Sequence, residues 1–391
     1  MKEDFIKYQA QTTPHPLSME IESAKGSYIT DSDGKRYLDF VAGVSANSLG
    51  HNHPKVSQAI KDQVDRYAHV MVYGEFIQKP ALELCKKLAA HLPETLSSVY
   101  LTNSGTEATE GAMKLAKRFT GRSGFIAANN AYHGNTQGAM SLCGAEAQNR
   151  PFRPLLPGVQ FIQFNEEKDL EKITTKTAGV VLETIQGGAG FIVPRNNYLH
   201  KVKKRCEEVG ALLILDEIQT GVGRLGTLFG FQHFGVNPDI FITGKGLGGG
   251  MPIGAFISSK EIMSTLQDKP KLGHITTFGG NPVIAAAALA TLEEITSSNL
   301  MQEALRKETL MRSLLQHRHI KEVRGKGLML AVMVESPDVA NKVVLECMEA
   351  GLILFWLLYE NKAIRISPPL TISDEEIHIG CAQILKILDT V

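Results

Sequence analysis

The sequence predicts an α/β fold, a mainly parallel sheet covered by helices, with a smaller α+β domain formed by the chain ends. Short apolar runs without polar alternation recur through the middle of the chain, the pattern of strands buried on both faces. Segments with helical spacing of apolar residues lie between them, and strands joined through helices run parallel. After about residue 285 the alternation stops and an α+β pattern takes over.

The expected strands are, in order, Val99-Tyr100-Leu101, Phe125-Ile126-Ala127, 159–164, Val180-Val181-Leu182, 212–215, Phe241-Ile242-Thr243 and Ala255-Phe256-Ile257. Val56, Ile60, Val64 and Tyr67 share one helix face, and Ala108, Ala112, Leu115, Ala116 and Phe119 share another. Further on, 283–295 is an alanine-rich helix, and 343–348 reads as a helix closed by Gly351. The apolar run 352–359 reads as a buried strand with flanks. Ala363-Ile364-Arg365-Ile366 is a strand stopped by Pro368-Pro369, and Ser373-Asp374-Glu375-Glu376 is a capping box opening the last helix. Residues 1–52, with the turn Asp31-Ser32-Asp33-Gly34, are expected to pack with a small domain at 286–391. Residues 53–285 form the large domain.

Composition narrows the functional classes. The chain has 391 residues and carries 41 basic and 41 acidic side chains. That balance marks neither a nucleic-acid binder nor a polybasic membrane protein. The start is charged and lacks a secretory apolar core, and no apolar run reaches the ~20 residues of a spanning helix. Five cysteines, odd in number and scattered, show no C-x-x-C spacing. They read as reduced thiols in a cytoplasmic protein, with no metal site expected.

Parallel sheets bind ligands at the carboxyl ends of their strands. Here Glu183, Asp216 and Lys245 each follow a strand, and three such residues on successive strands would converge on one edge. A strand-end lysine with a strand-end acid is what pyridoxal 5′-phosphate requires. The amine forms a Schiff base with the aldehyde, and the acid holds the proton on the pyridine nitrogen. Taken singly, Asp216 also reads as a plain strand terminator, and Lys245 as a solvated loop lysine beside Gly244, Gly246 and Gly248.

Other residues keep two readings each. Asn103-Ser104-Gly105-Thr106-Glu107-Ala108 follows a strand and opens a helix, so Ser104, Gly105 and Thr106 suit a phosphate. Ser104 and Glu107 equally satisfy a capping box. Gln219 suits a ring hydroxyl or a turn contact. Tyr132 is a stacking ring or a core tyrosine, and His133 alone reads as structural. Arg365, in an apolar strand, needs an anion, either a substrate carboxylate or an internal acid. A dinucleotide fingerprint at 244–249 falls too late in the chain. A Walker A reading fails because Gly246 follows Lys245 and Asp239 stands where the first glycine belongs.

At this point the sequence resembles the class III aminotransferases, of the acetylornithine, ornithine and γ-aminobutyrate kind. The likeness rests jointly on Tyr37-Leu38-Asp39-Phe40, Leu49-Gly50-His51-Asn52-His53-Pro54, Asn103 to Ala108, Tyr132-His133-Gly134, Asp216-Glu217-Ile218-Gln219-Thr220-Gly221, Lys245, Thr277-Phe278-Gly279-Gly280-Asn281-Pro282 and Arg365-Ile366-Ser367-Pro368-Pro369. It implies a fold-type I enzyme that uses pyridoxal phosphate, and a homodimer with active sites at the interface. It implies ping-pong transfer of an amino group from an amine or amino-acid donor, ornithine-like or ω-amino, to 2-oxoglutarate or pyruvate. An aminomutase or phospho-lyase shares that scaffold, and a non-catalytic relative that only binds the cofactor is the third alternative.

By position, the resemblance makes Lys245 the Schiff-base lysine and Asp216 the ring-nitrogen partner. Ser104, Gly105, Thr106, Tyr132, His133, Glu183 and Gln219 surround the cofactor, with Thr277 reaching in from the other subunit. Arg365, Asn135 and Thr276 face the substrate. Three departures bear on specificity. Asn135 stands where ornithine-type members carry arginine. Glu183-Thr184-Ile185-Gln186-Gly187-Gly188 lacks their second glutamate, the usual partner of the residue equivalent to Arg365. Thr276 replaces a serine. A different or broader amine donor is the expectation.

Overall fold

Seven strands form the central sheet of the computed structural model, which describes residues 1–391. Across the sheet they run Ser98–Thr102, Gly254–Ser258, Ile240–Gly244, Leu212–Asp216, Thr177–Glu183, Gly124–Ala128 and Val159–Ile162. All neighbours are parallel except Gly254–Ser258, which runs antiparallel to both of its partners. Every residue of Thr177–Glu183, Leu212–Asp216 and Ile240–Gly244 is buried. That is why these strands read as unbroken apolar runs rather than as alternating ones.

Alternate side chains still go to opposite faces. Phe125, Ala127, Val181, Ile214 and Ile242 pack against Ala108, Ala112, Leu115 and Ala116 of the helix Gly105–Thr120. Ile126, Val180, Leu182, Leu213, Leu215 and Phe241 belong to the larger core on the other face. Two expected faces need correction. Phe119 lies in the last turn of its helix and is 38% exposed. In the helix Pro54–Arg66, Val64 is 51% exposed, and the face turns inward through Val56 and Gln63 instead. Gln63 is kept inside because its amide donates to the Tyr67 carbonyl at 3.0 Å.

The chain ends are stitched together. Ile21–Lys25, Tyr28–Asp31 and Arg36–Asp39 form a sheet that Leu352–Ile353 completes in parallel. A second small sheet orders Ile320–Lys326, Met329–Val334, Ala363–Ile366 and Phe355–Trp356. The run 352–359 is therefore two short strands in two different sheets, not one buried strand. Phe355 and Leu358 are 40% and 50% exposed, because they face a cavity. Ser373 and Glu376 close their capping box as expected, and Glu376 also accepts from Ser27 Oγ at 3.0 Å. No helix is long and apolar enough to cross a membrane.

Motif residues without obvious chemistry prove to shape loops. Asp39 takes the Val41 and Ala42 amides at 2.7 and 3.0 Å and contacts His51 Nε2 at 2.8 Å. That holds a turn in which Ala42, Gly43, Val44 and Ser45 all have positive φ. Glu217 is wholly buried and accepts from Thr184, Thr220 and the Gly230 and Phe231 amides. Burial pushes its carboxyl up to about 7 against those four bonds. It fastens the loop after Leu212–Asp216 to the helix Gly230–Phe234.

Candidate active site

Three strand ends meet at one edge of the central sheet. Glu183 and Asp216 end adjacent parallel strands and lie directly opposite each other in register. Lys245 follows Gly244 on the next strand, held at φ 41°. A non-glycine residue is rarely left-handed, and such strain persists only where packing enforces it. The packing is visible in the flanking glycines. A Cβ on Gly246 would stand 2.3 Å from Ser48 Oγ, and one on Gly249 2.3 Å from Thr291 Oγ1. The glycine-rich run thus makes room for the protein's own chain.

These residues line a cavity of ≈ 460 Å³ together with Gly105, Thr106, Tyr132, His133, Asn135, Gln219 and Arg365. Asp216 Oδ2 meets His133 Nδ1 at 2.8 Å, and Asp216 Oδ1 accepts from the Ile218 amide at 2.9 Å. Burial disfavours a charged imidazole, but the hydrogen bond and charge of Asp216, with Glu183 behind, hold the His133 pKa above its ordinary value. The carboxylate is fixed from below by His133, an assignment no spacing in the sequence supplies. Glu183 accepts from the Gly187 and Tyr132 amides at 2.9 and 3.4 Å. Burial raises its carboxyl to about 7, with His133 and Asp216 pulling in opposite directions.

Lys245 has no acid in ion-pair reach. Burial first, then the charge of Arg365, lower its amine to about 8 against the opposing pull of Asp216 and Glu183. A neutral, nucleophilic amine is thereby accessible near neutrality. Arg365 is 7% exposed, and its Nε and Nη1 have no hydrogen-bond partner. Of the two readings left by the sequence, the internal salt bridge is absent. Desolvation brings the guanidinium down to about 10. A buried, unpaired cation facing a cavity is a seat for an anion.

The helix Gly105–Thr120 points its N-terminus into the same space. Ser104 caps it by accepting from the Glu107 amide at 3.3 Å. The box is offset, because Glu107 returns to the Asn103 amide at 2.7 Å rather than to Ser104. The Gly105 and Thr106 amides, which begin the helix, have no carbonyl one turn back to bond. A Cβ on Gly105 would meet Ile218 Cδ1 at 2.6 Å, so the close approach there requires glycine. Thr106 Oγ1 contacts Thr136 Oγ1 at 2.9 Å.

Tyr132 is 43% exposed and stands in the cavity wall, which removes its reading as a core tyrosine. Ser104 lies beneath the site as a cap. Thr276 and Thr277 are elsewhere. Thr276 accepts from the Gly279 amide at 2.7 Å and lines a separate cleft with Val72, Phe76 and Ile77. The cavity also includes Val44, Ile185, Ile218, Phe355 and Leu358, which sequence reasoning did not single out, and Gly188, which it noted only for its missing glutamate. Apolar wall residues carry no chemical signature in a sequence. The positive φ run at Val44 and the exposure of Phe355 appear only after folding.

An amine near neutrality, a carboxylate opposite it and a helix N-terminus together match an aldehyde, a pyridine nitrogen and a phosphate on one small molecule. Gln219 Nε2, buried and without a partner, adds a donor at the same wall. This sheet and this donor set define a fold-type I enzyme dependent on pyridoxal phosphate. The family described as Aminotransferase class-III matches residues 8–388. The chain belongs to the class III aminotransferase family.

Its relatives bear this out. A putrescine aminotransferase of Pectobacterium atrosepticum is 39% identical over 402 residues, covering 98% of this chain and 84% of its own. An acetylornithine aminotransferase of Caldanaerobacter subterraneus is 38% identical over 379 residues, covering 94% and 93%. The structure of an ornithine aminotransferase from Toxoplasma gondii superposes with TM-score 0.92 at 32% identity, over 100% of this chain and 95% of that one.

Proposed function

We propose that the protein moves an amino group from an amine or amino-acid donor, ornithine-like or ω-amino, to a 2-oxo acid such as 2-oxoglutarate or pyruvate. The two half-reactions share one site in ping-pong order. The observation that carries this reading is the pair Lys245 and Arg365, an amine depressed to about 8 and an unpartnered buried guanidinium lining one cavity. Pyridoxal phosphate, when bound, supplies an aldehyde for Lys245 and an electron sink that lets a proton leave the substrate carbon. Lys245 is the base that would take that proton from the substrate carbon and return it. Asp216, held by His133 and the Ile218 amide, would keep a proton on the ring nitrogen. The Gly105 and Thr106 amides would hold the phosphate, and Tyr132, Gln219 and Glu183, which line the same cavity, would hold the ring. Arg365 orients the carboxylate, and Asn135 meets the far end of the substrate.

We infer a homodimer as well. Thr277 lies outside its own chain's cavity, between exposed Phe278 and Thr276, which shares a cleft with exposed Phe76 and Ile77. A second copy covering that apolar face would bring Thr277 to the neighbouring site. All five cysteines are free and four are buried, which fits a reducing cytoplasm.

The reading is tested on protein loaded with pyridoxal phosphate. A donor should convert the aldehyde absorbance to that of the amine form, and a 2-oxo acid should restore it. Turnover with no 2-oxo acid present would instead indicate a lyase or mutase. Arg365→Ala should raise KM for carboxylate substrates by about 100-fold, since two charge-assisted hydrogen bonds contribute about 3 kcal/mol together. For an amine without a carboxylate, KM should stay within about threefold. Equal effects on both would remove Arg365 from the substrate site.

A further inference from the structure

Resting on the aminotransferase reading, we infer that the site selects substrates with a single carboxylate, monocarboxylic 2-oxo acids among acceptors, and that Leu358 and Phe355 enforce this. Lys245 and Arg365 are the only lysine and arginine that this chain brings to the cavity. Lys245 is committed to the cofactor. One cation is left for the substrate, and one carboxylate satisfies it.

What surrounds that cation rejects a second negative charge. Phe355 is the direct cross-strand partner of Arg365, so the two project from the same face of their sheet. Leu358, Ile185 and Val44 extend the apolar wall. The acids Asp216 and Glu183 also line the cavity, and His133, the one further basic side chain there, is taken up by Asp216 at 2.8 Å. A distal carboxylate would be desolvated against alkyl and aryl groups, near like charges, with no cation of its own. Asn135 can hydrogen-bond a distal group but cannot neutralise it.

The wall is also closed to rearrangement. The turn Gly187-Gly188-Ala189-Gly190 offers no side chain longer than a methyl. A Cβ on Gly188 would lie 2.9 and 3.1 Å from ring carbons of Tyr359 and 3.5 Å from Leu358 Cβ. The Tyr359 amide donates to the Gly188 carbonyl at 2.9 Å, which locks the ring over the glycine. No acid can reach Arg365 from this turn, so the guanidinium remains free for both substrates in succession. An alkyl side chain, by contrast, finds apolar contacts at Leu358 and Phe355.

The test uses the full chain loaded with pyridoxamine 5′-phosphate and follows return of the aldehyde absorbance. Pyruvate and 2-oxobutyrate should react with second-order rates at least tenfold above those of 2-oxoglutarate and oxaloacetate. Leu358→Arg should raise the 2-oxoglutarate rate at least tenfold relative to pyruvate, whereas Leu358→Gln should not. Leu358 is half exposed, so both variants should fold, and circular dichroism checks that. A dicarboxylate reacting as fast as pyruvate in the unaltered protein would overturn this inference while leaving the aminotransferase reading intact. So would a folded Leu358→Arg variant with an unchanged ratio. Failure of every 2-oxo acid would overturn both.

Discussion

Lys245→Ala is expected to lower turnover by at least ~10⁴-fold, because it removes both the nucleophile and the proton carrier. The protein should still bind pyridoxal phosphate, since the Gly105 and Thr106 amides and Asp216 remain. Spectra of the variant should show free aldehyde rather than the lysine adduct, and borohydride should fix no label to the chain. Turnover within tenfold of the unaltered enzyme would exclude the assigned role. The same amine gives a pH signature. Burial and Arg365 place it at about 8, and only its neutral form attacks an aldehyde. Cofactor capture by the cofactor-free protein, followed by stopped-flow absorbance, should rise about tenfold per pH unit below that value and level off above it. Arg365→Ala removes a like charge and should move the midpoint upward. A midpoint near the ordinary lysine value would mean that the amine is solvated.

Asp216→Asn is expected to lower turnover by about 10³-fold while leaving cofactor content near normal. Asparagine keeps the shape and can still accept from the Ile218 amide, but it supplies no charge to hold a proton on the ring nitrogen. Without that proton the ring withdraws electrons poorly, so the loss should fall on kcat rather than KM. The change also removes the charge that raises the His133 pKa. His133→Ala should therefore reproduce part of the loss, because Asp216 would lose its fixed orientation. A loss carried by KM alone would show that Asp216 binds substrate instead.

Much of the large domain could be read from residue type and spacing. Its strands are buried on both faces and its helices keep one apolar stripe, so local sequence and final environment agree. The strand-end residues Glu183, Asp216 and Lys245 were legible for the same reason, because the parallel sheet brings its carboxyl ends to one edge. The chain ends were harder. The run 352–359 is uniformly apolar, yet it splits between two sheets and turns Phe355 and Leu358 toward a cavity. Apolar character reports only that water is avoided. It does not distinguish a core from the wall of a binding site.

Arg365 shows the division most clearly. Its position in an apolar strand signals burial and a need for an anion, but whether the chain supplies that anion depends on residues far away in sequence. The folded arrangement leaves Nε and Nη1 bare. Similarly, His133 became the support of Asp216 across 83 positions. The sequence by itself determined the sheet and the strand ends that carry Glu183, Asp216 and Lys245, because those follow from strand periodicity along short stretches. Only the tertiary structure decided which groups share the cavity, which charge stays unpaired and what seals Gly188, because those are contacts between segments whose separation along the chain carries no local signal.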